Sequence, residues 1–197
     1  INFFDPIAPE DLTDAHINEF QTYLVKQKKV ATSSQNQYIN AIKFYFEKVL
    51  GREKGFYQIE RPVKEFKLPK VLTEKEVVAL LSAVHNIKHK AMLLLVYSAG
   101  LRAGELIKLR VNDIDGEQMR VFIRGGKGKK DRVTILSQKA LEVLRAYFKK
   151  HRPRVYLFEG QTGDAYSSTS LRAVFAKAVR NAGINKSVTL HSLRHSF

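Results

Sequence analysis

The heptapeptide His191-Ser-Leu-Arg-His-Ser-Phe197 places two imidazoles and a guanidinium within two turns of what reads as an opening helix. His191 and Arg194 are three residues apart, share one helical face and can grip one anion together. An imidazole with an ordinary pKa near about 6.5 exchanges protons at neutral pH, and a guanidinium forks onto oxyanions. His195 is expected to point away from this pair, in a packing or supporting role. Upstream, Gly100-Leu-Arg-Ala-Gly-Glu-Leu106 sets Arg102 at the junction of an apolar helix and an amphipathic one, with Glu105 spaced to orient its guanidinium. An ordinary helix-surface ion pair accounts for that spacing as well. Gly126-Lys-Gly-Lys-Lys-Asp-Arg132 offers a third cationic segment. Its glycines let backbone approach a phosphate, and Lys127 at the tip can donate a proton or a charge. A plain solvated hairpin tip fits the same residues, and Lys129, Lys130 and Arg132 thicken the positive field around it. Taken together, the three segments point to phosphoryl chemistry on nucleic acid.

The elements that must position these groups are mostly helical. Ile17, Phe20 and Leu24 recur at helical spacing over 13–28, with Thr13 or Asp14 as N-cap. A second helix is expected from Thr32 to Leu50, its apolar stripe being Tyr38, Ile39, Ile42, Tyr45, Phe46 and Val49, with Gly51 as its stop. Ser33, Ser34, Gln35, Asn36, Gln37 and Asn40 form a neutral hydrogen-bonding face on that helix. It suits a DNA groove and equally a solvated surface. Between 51 and 71 periodicity is lost, and Pro62, Pro69, Lys64, Lys67 and Lys70 read as an extended basic linker. Thr73-Glu-Lys-Glu76 is a capping box that opens the next helix. Helices are expected at 74–84, 87–98, briefly after Gly100, and at 138–150 and 168–182. Val121-Phe-Ile123 and Arg132-Val-Thr-Ile-Leu136 read as antiparallel strands. The expected fold is mainly α with a small antiparallel β-sheet (α+β).

Composition narrows the partner. Hydrophobic residues make up 44% and charged residues 27%, which suits a globular chain rather than a disordered one. Thirty-four Lys+Arg against nineteen Asp+Glu leave a net charge of +15, which favours a polyanionic partner. With no cysteine, disulfides, thiolate metal sites and cysteine nucleophiles are excluded. The longest apolar run, 91–100, is too short to span a bilayer. The expectation is a cytoplasmic protein with no membrane partner. The first residues, Ile1-Asn-Phe-Phe-Asp-Pro6, lack an initiator Met and a basic leader, and read as the cut end of a longer chain.

The three boxes, in this order, resemble the signature boxes of tyrosine recombinases, the family of phage, Xer-type and integron integrases. The likeness covers nearly the whole chain. It implies a helical core-binding, SAM-like DNA-binding domain over 1–62, a basic linker over 63–72 and a recombinase catalytic domain over 73–197. In such enzymes a tyrosine hydroxyl attacks a DNA phosphodiester, forming a 3′-phosphotyrosyl link and releasing a 5′-hydroxyl. By carry-over, Arg102 and Arg194 hold the nonbridging oxygens, Lys127 protonates the leaving oxygen and His191 assists proton transfer at the nucleophile. Glu105 and His195 support them. Lys64, Lys67, Lys70, Lys129, Lys130, Arg132, Ser34, Gln35 and Gln37 are the expected DNA contacts. Neither a metal nor a nucleotide cofactor is implied, because cations stand where a metal would and the phosphotyrosine conserves bond energy. The partner is double-stranded DNA, in a tetramer on paired sites when intact.

One departure matters. The family's nucleophile follows the His-x-x-Arg box, whereas all eight tyrosines here precede it. The expectation is a fragment that binds DNA without cleaving it and is monomeric alone. A non-catalytic DNA-binding module derived from an integrase is the alternative, and a type IB topoisomerase ranks below it.

Overall fold

The computed structural model describes residues 3–52, 68, 70–125 and 130–196. The chain forms two compact units, Ile1–Lys67 and Leu68–Phe197. Each has its own core.

In the first unit, α1 (Asp14–Lys26) begins at Thr13, whose hydroxyl accepts from the His16 backbone N–H while His16 Nδ1 accepts from Thr13 N–H. A histidine thus replaces the usual Glu of a capping box. Ile17 and Leu24 are buried beneath α1, and Phe20 packs edge-on against Tyr38 with ring centroids 5.9 Å apart. The second helix, α2 (Thr32–Phe44), is shorter than expected, because its last turn, Tyr45–Val49, widens to a π-helical turn before Gly51. The wider turn rotates the stripe. Ile39 and Phe46 are buried, whereas Tyr38 and Val49, expected to be apolar-face residues, are 44% and 59% exposed. After the turn, Arg52 donates to the carbonyls of Glu10 and Leu12 and lies over the Phe46 ring, tying the end of this helix to the segment before α1.

The second unit is built around α4 (Ile87–Ser98). Residues 91–96 are all buried, so this helix has no polar face and needs neighbours on every side. They are α3 (Glu74–Ser82), α5 (Ala103–Lys108), α6 (Gln138–His151), α7 (Ser168–Asn181) and α8 (Leu190–His195). The expected capping box forms at Thr73, with Thr73 N–H and hydroxyl donating to Glu76. Lys186 adds a 2.8 Å ion pair to the same carboxylate and so holds the segment leading into α8. The expected linker, 63–72, gives way at its end. Leu72 is 3% exposed and its N–H donates to Ser196 Oγ at 2.8 Å, so this residue belongs to the second core. Pro62, Lys64, Lys67 and Pro69 lie outside the described residues.

The sheet is antiparallel in the order β1 (Ile114–Asp115), β2 (Arg120–Ile123), β3 (Arg132–Ile135). Val121 faces Thr134 and Ile123 faces Arg132, which turns Val121 and Ile123 into the core. The short β1 was not anticipated, since two residues carry no periodicity. Thr134 Oγ1 donates to the Ala99 carbonyl at 3.1 Å, lacing β3 to the end of α4. Gly100 turns the chain there with φ of +59°, a conformation that favours glycine. Truncating Leu95, wholly buried in α4, leaves a cavity in the core. Leu95→Ala is expected to lower stability by about 2–5 kcal/mol in denaturant unfolding of the chain.

Candidate nucleic-acid phosphate site

At the start of α5 the chain places Arg102 as N-cap, with extended backbone, and Glu105 in the first turn. The Glu105 carboxylate reaches back to accept from Arg102 N–H at 2.8 Å, satisfying a helix-end donor. It also pairs with the Arg102 guanidinium at 2.8 Å and with Arg132 at 2.9 Å, while its side chain is only 6% exposed. Arg132 donates further to the Gly100 carbonyl at 3.4 Å. Burial acts against ionisation of Glu105, but the hydrogen bonds from Arg102 and Arg132 outweigh it and hold the carboxyl below its usual range.

Arg194 joins this group from α8. Leu190 and Leu193 anchor that short helix in the core, leaving Arg194 half-buried. Burial disfavours its charge, Arg102 and Arg132 repel it, and Glu105 attracts it. The guanidinium stays cationic at neutral pH nonetheless. Among the described residues no ion pair closes on Arg194. Two guanidiniums thus hold one carboxylate with Arg194 within their electrostatic reach, and the excess positive charge is suited to an anion.

His191 lies beside them. Burial, then His195, Arg194 and Arg102, hold its imidazole below the ordinary range, so it is neutral at physiological pH. The structure corrects the expectation for His195. Instead of pointing elsewhere, His195 Nε2 lies 2.8 Å from His191 Nε2, the two rings standing edge to face. Residues four apart on a helix are neighbours, which the sequence spacing already contained.

Of the remaining expected residues, Lys127 and Lys129 lie outside the described residues, and Lys70 and Lys130 are exposed. Arg132 is drawn in to Glu105 rather than standing free among the hairpin cations. In the first unit, Gln37 is exposed and Ser34 half-buried. Gln35 spends its amide on the Val30 carbonyl at 2.9 Å, which shapes the turn before α2.

Sequence reasoning missed Asp113. This residue is 3% exposed, accepts from Arg110 N–H at 2.8 Å and pairs with Arg124 Nε at 2.8 Å. Arg124 adjoins Gly125, whose N–H donates to Asp131 at 2.7 Å, so the neck of the β2–β3 hairpin is held on both sides. A signal was present: Arg110-x-x-Asp113 repeats the spacing of Arg102-x-x-Glu105, and both carboxylates reach back to the arginine's own N–H. Lys108, Arg110, Arg124 and Tyr156 line a groove of about 490 Å³ beside Glu105.

Two tyrosines of this unit are engaged away from the arginines. Tyr147 is buried and its hydroxyl pushed up to about 12, chiefly by that burial. Tyr166 shares a 3.2 Å hydrogen bond with His89. Among the described residues no cluster of three or more His, Cys, Asp or Glu could hold a metal ion, and no helix is long and apolar enough to cross a membrane.

Comparison with known proteins places the chain in a family. Residues 70–197 match the model of the phage integrase family, and residues 1–55 match that of the phage integrase N-terminal SAM-like domain. A Sinorhizobium fredii protein named as an integrase/recombinase is 39% identical over 192 residues, covering 96% of this chain and 62% of its own. Tyrosine recombinase XerA of Pyrococcus horikoshii is 37% identical over 181 residues, covering 89% of this chain and 62% of its own. The chain therefore spans less than two thirds of the length of these two relatives. The crystal structure of XerH site-specific recombinase bound to its difH substrate, in a pre-cleavage complex, superposes with a TM-score of 0.76 at 20% identity. That match covers 95% of this chain and 58% of the other, and at this identity it speaks for the fold. With residues 70–197 and 1–55 both matched by its models, the chain belongs to the phage integrase family of tyrosine recombinases.

Proposed function

We propose that this chain holds duplex DNA and the scissile phosphate in a site-specific recombination reaction that proceeds through a 3′-phosphotyrosyl intermediate. The observation that carries this reading is the pairing of Arg102 and Arg132 on the buried Glu105 carboxylate, with the Arg194 guanidinium in the same electrostatic field. A phosphodiester carries one negative charge and develops more on its nonbridging oxygens as the nucleophile attacks. Preorganised guanidiniums stabilise that charge without reorganising at the moment of reaction. Arg102 and Arg194 bind these oxygens, and Glu105 with Arg132 fixes the orientation of Arg102. His191, neutral at physiological pH, accepts the proton of the attacking hydroxyl. Lys127 returns a proton to the leaving 5′-oxygen, so the strand is released as a hydroxyl and not as an alkoxide.

The domains divide the work. The first, over 1–62, grips the duplex through Ser34 and Gln37 on α2, with Gln35, its amide held by Val30, offering only its side-chain oxygen. The residues 63–72, with Lys64, Lys67 and Lys70, follow the backbone, joined by Lys129 and Lys130. Phosphate contacts of this kind position the protein and carry no sequence information. The assembly under this reading is a tetramer on paired sites, with the 197-residue chain monomeric in free solution. The setting is the cytoplasm, where the DNA is.

The direct test is a nicked suicide duplex carrying the recombination site of the natural polypeptide that contains these residues. That polypeptide is expected to form a covalent adduct resistant to boiling in detergent. An intact polypeptide that binds the site and never forms the adduct overturns the reaction and leaves a DNA-binding module.

Substitution separates holding from chemistry. In the same polypeptide, Arg102→Ala or Arg194→Ala is expected to slow adduct formation by at least about 100-fold, as loss of a charge-stabilising donor does elsewhere. Binding measured by fluorescence anisotropy should change far less. Lys70→Ala should weaken binding and spare the single-turnover rate on saturated DNA. Binding itself is expected to be salt-dependent, log K falling against log salt with a slope of about 0.9 per phosphate neutralised. A flat salt response would contradict a DNA-clamping role.

A further inference from the structure

The phosphate site uses His191, and the supporting part expected of its neighbour His195 has as yet no physical content. His195 lies one turn further along α8, its Nε2 at 2.8 Å from His191 Nε2 and its ring centroid 4.3 Å away. Two imidazole nitrogens at this distance meet favourably in one arrangement only, with one donating an N–H and the other accepting it. Two protons between them would collide, and none would set lone pair against lone pair. The contact therefore contains a single shared proton, and the two rings together are neutral or carry one positive charge. Both rings also reach solvent. Nothing in the core requires the pair.

The groups facing His191 favour that limit. Among the described residues the charges acting on it are those of His195 and Arg194 on α8 and of Arg102 at the start of α5. All are cationic or can become so. Among the described residues no carboxylate acts on the ring, and Glu105 is engaged with Arg102 and Arg132. In such a field a doubly protonated histidine pair is disfavoured, and the neutral partner in the shared hydrogen bond has its tautomer determined by the other ring.

We propose that His195 is a positioning residue for His191: by sharing one Nε2 proton it fixes the tautomer and orientation of His191 and keeps the pair at no more than one positive charge beside the arginines. A neutral His191 of defined tautomer is what a proton acceptor needs at a site crowded with guanidiniums. The inference rests on the reading of His191 as the proton-exchanging group. Its physical content, however, concerns the free chain and does not require cleavage.

The test is ring nitrogen–proton correlation NMR of the 197-residue chain across the imidazole titration range. His191 is expected in one tautomer, set by the hydrogen bond to the His195 ring. In His195→Ala the His191 midpoint should move upward toward the ordinary imidazole value, with both tautomers populated. His195→Gln supplies an amide in place of the ring and should return His191 toward a single tautomer. An unchanged tautomer and midpoint of His191 in His195→Ala would overturn the proposal, with thermal unfolding confirming that the variant is folded. In the natural polypeptide, the acid limb of the pH profile for adduct formation should move to higher pH in His195→Ala, because a base of raised pKa loses its proton later. A polypeptide that forms no adduct at any pH would refute the functional reading, while the ring measurements still decide the pair.

Discussion

The second unit depends on one buried anion. Glu105 sits where the apolar end of α4 turns into α5, and a carboxylate there is tolerated only if its oxygens are fully engaged. Three donors meet that need: the Arg102 N–H, the Arg102 guanidinium and the Arg132 guanidinium. The same bonds fix the positions of two cations that would otherwise repel each other. Glu105 thus serves the fold, as a helix cap, and the site, as the centre around which positive charge collects. Removing it would leave Arg102 and Arg132 crowded without compensation, and the loss would fall on the start of α5 and on β3 together.

The surrounding architecture explains why the cations stay in place. They come from three separate segments: the start of α5, the start of β3 and the exposed side of α8. Each segment is tied to α4. Arg102 follows the Gly100 turn at its end, β3 is laced to it through Thr134 and Ala99, and α8 packs on it through Leu190 and Leu193. Because α4 is buried on all sides, it cannot shift without disturbing the whole core. Rigid placement matters for charges meant to meet a developing negative charge, since a flexible cation would have to reorganise as the reaction proceeds. The excess charge is therefore a local cost accepted in a stable frame, relieved when an anion enters.

Much of this was legible in the sequence because it is local. The capping box at Thr73, the helix 87–98 with its apolar run 91–96, the glycine stop after it and the strand pair around 121 and 132 follow from spacing and residue type over a few positions. The pairing of Arg102 with Glu105 is local too. Where expectation and structure part, the cause is also specific. The π-helical turn at Tyr45–Val49 rotates Val49 outward, and no periodicity based on an ideal helix anticipates it. Leu72 reads as linker by its neighbours, yet it is buried because Ser196, far along the chain, accepts its N–H. His195 turns toward His191 because residues four apart on a helix are neighbours, a spacing that the His-x-x-Arg pairing by itself does not express.

From sequence alone came the residue types that can do chemistry, the helical frame and the family resemblance, since each rests on short-range pattern. Tertiary structure decided which of those cations act as one site. Arg132 had read as one more surface charge on a basic hairpin, and only the closeness of β3 to the α4–α5 turn makes it the second partner of Glu105. Asp113 had no role until Arg124 met it across the sheet. Contacts between residues distant in the chain depend on how buried surfaces close against one another, and that closure is a property of the whole core rather than of any window of sequence.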